Sequence, residues 1–171
     1  IPPTATEAST ATPEPFTCDK LSASNLTFYG NRVFIQFRND NVQPTELTKT
    51  WLNWNEAAVQ GDYPGIYMAM QALDGEVFWM GEDYQPETST VSEGTFYTSA
   101  DRSVPGLGGA QWSGTYLNGP ALLADYWGAY DFSGSIFYFF NPRTGGECEI
   151  ALDVPPGPPP PTATPPDFVP S

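Results

Sequence analysis

The octapeptide RVFIQFRN, residues 32–39, alternates with period two: Val33, Ile35 and Phe37 fall on one face, and Phe34, Gln36 and Arg38 on the other. Successive side chains of an extended backbone point to opposite faces, so this pattern predicts a strand with one face against a core. The same logic extends outward in both directions. TKTWLNWN (48–55) sets Leu52 and Trp54 on one side with Trp51 opposite, and ECEIALDV (147–154) sets Cys148, Ile150 and Leu152 on one face. In GIYMAMQALDGEVFWMG (65–81), two apolar runs flank Asp74 and Gly75, a hairpin signal because such a two-residue turn requires positive φ. AQWSGTYLNG and SGSIFYFF continue the pattern, and NPRTGG turns the chain between strands. Only PALLADY (120–126) reads as helical, over one or two turns.

Short strands separated by turn signals predict an all-β fold: an immunoglobulin-like antiparallel β-sandwich of seven to nine strands, with a closed barrel as the second choice. Proline marks its limits. Of 19 prolines, four precede Cys18 and nine follow Val154. Proline lacks the backbone donor that a sheet interior needs, so both ends read as extended arms. The expected organisation is a Pro/Thr-rich amino-terminal arm (1–17), a sandwich domain (18–154) and a Pro-rich carboxy-terminal arm (155–171).

Two cysteines, Cys18 and Cys148, bracket the domain and are expected to form one disulfide. In the chain-entropy picture, closing a loop of that length stabilises a fold by roughly 4–5 kcal/mol. A disulfide of this kind, together with a chain that opens at Ile1 rather than Met, leads to the expectation of a leader removed on secretion and an extracellular or cell-surface location.

The stretches CDKLSASNLTFYGNRVFIQFRNDN, WLNW, LDGEVFWMGEDY and FSGSIFYFFN resemble modules of secreted and surface proteins of filamentous bacteria, which TATP-type linkers often flank. The resemblance covers nearly the whole domain. It implies an extracellular β-sandwich and brings no catalytic signature with it.

Charge and composition exclude several classes of function. Acidic residues outnumber basic ones 20 to 6, which disfavours nucleic acid as a partner. No run of about 18 apolar residues offers a membrane-spanning helix. The absence of histidine rules out Ser-His-Asp and Cys-His nucleophile systems and His-containing zinc sites, and two cysteines are too few for an all-thiolate zinc site. GLGG (106–109) lacks the Lys and the following helix of a phosphate loop and reads as a turn before a strand. Paired carboxylates could in principle hydrolyse glycosides, but no pair stands out among the acids, and the chain is not expected to be an enzyme. A calcium site in GEDYQPE (81–87) is weighed on Glu82 and Asp83, because calcium takes several carboxylate oxygens, against the plainer reading of solvated loop charge.

Aromatic residues make up 15% of the chain, more than surface chemistry alone needs, so most are expected in the core. The densest cluster, DYWGAYDF (125–132), contributes Tyr126, Trp127 and Tyr130 as candidates for a lectin-like patch or a groove that receives an arm from another copy. As polyproline II the 17 residues of the carboxy-terminal arm reach roughly 50 Å, further than a domain of this size is wide. That arm carries the apolar pair Phe168 and Val169 as an anchor, and the amino-terminal arm from Ile1 is the second candidate contact. Thr4, Thr6, Ser9, Thr10, Thr12, Thr162 and Thr164 are candidate O-glycosylation sites of a Pro/Thr linker, and Asn25 opens the N-glycosylation triplet NLT. The expected function is a structural subunit of an extracellular filament or surface assembly, with other copies of itself as partners joined head to tail through the arms. The alternative is an adhesion module that binds glycans or a cell surface.

Overall fold

The computed structural model describes residues 1–4, 12–84, 87–89 and 95–158, and the side chains of 87–89 and 95 lie outside that description. Phe168, Val169, Thr6, Ser9, Thr10, Thr162 and Thr164 therefore lie outside the described residues.

The fold is all-β. Its strands are β1 (Leu21–Tyr29), β2 (Arg32–Asn39), β3 (Thr45–Asn53), β4 (Tyr67–Leu73), β5 (Glu76–Asp83), β6 (Glu87–Ser89), β7 (Thr95–Phe96), β8 (Ser103–Val104), β9 (Gly108–Leu117), β10 (Ile136–Phe140) and β11 (Glu147–Ala151). Nine of these have three residues or more, and β7 and β8 have two each. They pair into a six-stranded sheet, β1-β2-β9-β4-β5-β7, and a five-stranded sheet, β11-β10-β3-β6 with β8 also on β3. Among the described residues the ladders between these strands are all antiparallel. The order β1-β2-β9-β4 over β11-β10-β3 is the immunoglobulin arrangement, in which the third strand and the last two cross to the second sheet. The PALLADY stretch supplies a single 3-10 turn, Leu123–Asp125, and a second turn covers Ala129–Phe132.

The alternation that predicts β2 is met residue by residue: Val33, Ile35 and Phe37 are buried, while Gln36 and Arg38 are exposed. From the facing sheet, Phe137 and Phe139 of β10 meet Phe37 edge-on, with ring centroids 4.9 and 5.0 Å away. Trp112 of β9 packs on Phe137 at 5.5 Å. Edge-to-face contacts of this kind add about 0.5–1.5 kcal/mol each to the burial of the rings. Asp74 and Gly75 turn the β4–β5 hairpin with φ of 48° and 83°, the two positive values that a tight primed turn needs. At the expected turn before β9, a β-carbon on Gly106 would lie 1.9 Å from the Val42 carbonyl oxygen, so backbone packing demands glycine there.

One side of the sandwich is closed. Cys18 and Cys148 form the expected disulfide, with their Cα atoms 5.4 Å apart. Further along, Ala23 of β1 bridges Leu152 in parallel, and the Asp153 amide donates to the Ala23 carbonyl at 2.8 Å. First and last strands therefore run side by side in the same direction.

Candidate functional site

The arms and the aromatic residues near them are the places to look for function. The amino-terminal arm is fixed to the fold from Glu14 inward. Phe16 is buried, the Thr17 amide donates to Asn41 Oδ1 at 2.9 Å, and Asn41 Nδ2 returns a bond to the Thr17 carbonyl at 3.0 Å. Gln43 Nε2 donates to the Glu14 carbonyl, and Lys20 pairs with the Glu14 carboxylate. These contacts sit at the end of the sandwich where β2 turns into β3, beside Pro142 and Arg143 of the β10–β11 turn. Outside them, Ile1, Thr4 and Thr12 are exposed.

The carboxy-terminal arm leaves at the other end. After Asp153 it follows the second half of β1, with Val154, Pro155 and Pro156 opposite Asn25, Leu26 and Thr27 across a groove of about 630 Å³. A β-carbon on Gly157 would lie 3.5 Å from the Tyr130 ring, so the arm crosses that ring closely. Tyr130 belongs to the Ala129–Phe132 turn, and the neighbouring Phe132 packs on Phe28 near the β1–β2 turn. The carboxy-terminal arm therefore runs from Ala23 along β1 toward the β1–β2 turn, away from the end where Thr17 and Glu14 are held.

The cluster DYWGAYDF does not act as one surface. Trp127, expected on a docking groove, is a core residue: it packs edge-on against Tyr116 and Phe132, and its indole Nε1 donates to the Asn55 carbonyl at 2.9 Å. The 3-10 turns on either side roll the indole inward, where its large apolar area is removed from water. Tyr126 stands apart from it, with its hydroxyl donating to Asp62 Oδ2 at 2.7 Å and its ring edge-on to Tyr63. The bond to the Asp62 carboxylate, aided by desolvation, pushes its phenol up to about 12. Tyr130 is the most exposed ring of the cluster, the one that the arm crosses, and Tyr126 is half-buried.

The carboxylates are also dispersed. Glu82 and Asp83 belong to β5 rather than to a loop, and as neighbours on a strand they point to opposite faces, Glu82 exposed and Asp83 buried. That geometry does not bring their oxygens onto one ion. Among the described residues no group of three potential acidic, Cys or His ligands forms. Asp131 accepts from Asn55 Nδ2 and caps the Gly128 amide, and the Asp101 carboxyl is held below its ordinary value by hydrogen bonds from Ser103.

A surface that the sequence reading passed over lies on the outer face of the six-stranded sheet. Tyr67 of β4 pairs with Leu117 of β9, and its ring meets that of Tyr84, just past β5, at 4.9 Å. Met70 pairs with Met80 beside them. Tyr84, Leu117 and Met80 are each between 43 and 47% exposed. Only part of the signal was present in the hairpin: Met80 and Tyr84 share a face of β5 by alternation, whereas Tyr67 and Met70, three positions apart, come to one side only through the irregularity between Met68 and Met70.

The chain matches no family model, no curated protein and no solved structure.

Proposed function

We propose that this domain is a structural unit of an extracellular assembly, joined head to tail to further copies through its Pro-rich arms. The observation that carries this reading is the exit geometry: the amino-terminal arm joins at the β2–β3 end of the sandwich and the carboxy-terminal arm at the β1–β2 end. An element that leaves one surface and docks on a different one makes a heterologous contact, which repeats into a ring or a filament rather than stopping at a dimer. Stiff polyproline arms lose little entropy on docking and reach beyond the domain that bears them. The disulfide suits an oxidising compartment.

Negative-stain electron microscopy tests this. The full chain is expected to form filaments, and a chain truncated before Pro155 is expected to remain a folded monomer. Normal filaments from the truncated chain would move the contact to the arm that begins at Ile1, and a full chain that stays monomeric as concentration rises would overturn the reading.

The Tyr67–Tyr84 face favours a second reading, a module that binds glycans, because an accessible aromatic ring suits the apolar face of a sugar and Tyr84 is nearly half exposed. Binding on a glycan array that disappears in Tyr67→Ala and Tyr84→Ala chains would support it.

A further inference from the structure

The NLT triplet sits on the one irregularity of β1. Ser24 pairs with Gln36 and Thr27 with Phe34, so Asn25 and Leu26 share the place opposite Ile35, a bulge with two residues against one. Asn25 takes φ of 55°, the left-handed region that Asn tolerates better than most residues. Asn25 and Thr27 are both exposed, and the Asn25 amide bonds to none of the described residues. The bulge thus holds a free carboxamide clear of the sheet, with the hydroxyl of the triplet on the same open edge.

Directly beside it lies the groove of about 630 Å³, walled by the bulge, Ala129, Val154, Pro155 and Pro156. Its size is within the range of about 300–1,000 Å³ typical of small-ligand sites. Its far wall is aliphatic, suited to the C–H face of a pyranose. It also runs along a strand edge without a partner: the last ladder bond is that of the Asp153 amide to Ala23, and Pro155 and Pro156 have no N–H with which to continue it.

We propose that Asn25 is an N-glycosylation site whose first sugar lies in this groove, against Val154, Pro155 and Pro156. In the transfer, Asn25 Nδ2 forms a bond to the anomeric carbon of a polyisoprenyl-pyrophosphate-linked oligosaccharide. The bond from that carbon to the phosphate oxygen breaks, the lipid pyrophosphate leaves with the electron pair, and Nδ2 gives up one proton. The glycan then covers the open β1 edge and fixes the direction in which the carboxy-terminal arm departs. This inference does not depend on assembly and stands whether or not copies polymerise.

The test is intact-mass and peptide mass spectrometry of the full chain secreted from a eukaryotic host whose secretory pathway transfers N-glycans. One glycan on Asn25 is expected, absent from Asn25→Gln and Thr27→Ala chains and retained in Thr27→Ser, which keeps the hydroxyl. A folded, secreted chain with an unmodified Asn25 overturns the site. For the groove, nuclear Overhauser contacts are expected between protons of the first sugar and the methyl groups of Val154. A glycosylated chain without those contacts overturns the seating. Micrographs of the Thr27→Ala chain keep the two proposals separate, since filaments without glycan would leave the assembly reading intact.

Discussion

The indole Nε1 of Trp112, on β9, donates to the side-chain oxygen of Gln71, on β4, at 2.9 Å in the middle of the core. The same oxygen accepts from Thr50 Oγ1 at 2.9 Å, and Thr50 lies on β3 of the opposite sheet. Gln71 is thus a polar link across the sandwich, in surroundings where an unsatisfied donor is costly.

Replacing Gln71 with Leu removes the acceptor and leaves the Trp112 N–H buried without a partner. The expected loss is about 1–3 kcal/mol, the cost of one orphaned buried group. Urea denaturation measures it. Adding Trp112→Phe to Gln71→Leu is expected to cost less than the sum of the two single changes, because the orphaned donor is then gone.

Tyr116 provides the opposite case. Its hydroxyl is buried with no hydrogen-bond partner among the described residues, and burial, with the negative charge of Asp83 nearby, holds its phenol well above the ordinary value. Tyr116→Phe removes an unsatisfied group and keeps the ring contacts with Trp54 and Trp127. Stability equal to or above that of the parent is expected in the same urea experiment, and a loss above about 1 kcal/mol would show that the hydroxyl does bond.

Reduction of Cys18–Cys148, which closes a loop of 130 residues, is expected to lower the melting temperature by about 10–20 °C. Differential scanning calorimetry after verified reduction checks this, and an unchanged midpoint refutes it.

The Tyr126–Asp62 bond has a defined pH signature. The phenol is raised in the folded state from 10.0 to about 12, so its stabilising effect is complete below the unfolded value and is lost as pH rises through that window. Following the Tyr126 ring by NMR is expected to show its titration return toward the ordinary tyrosine value in Asp62→Asn. A titration that does not move would assign the shift to burial instead.

Much of the fold was legible because it rests on local periodicity and turn chemistry. Val33, Ile35 and Phe37 declare a buried face, Asp74-Gly75 declares a hairpin, and Cys18 with Cys148 declares a staple, each by rules that involve only near neighbours or simple counting. Sites were less legible. Trp127 lies in a stretch without period, so its burial depended on where two sheets left room for an indole, which no local pattern records. Glu82 and Asp83 read as loop charge because the end of β5 carries no apolar alternation, and only pairing with β4 showed that they face opposite ways. The triplet at Asn25 is a string of three letters until register shows that it occupies a bulge facing a groove built by Val154 and Pro155, 129 and 130 positions further along the chain. By itself the sequence determined the class of fold and its staple, because hydrophobic alternation acts over a few residues and two cysteines allow a single pairing. Only the tertiary structure decided which aromatic rings face water and from which ends the arms depart, because those follow from pairings between strands far apart in the chain.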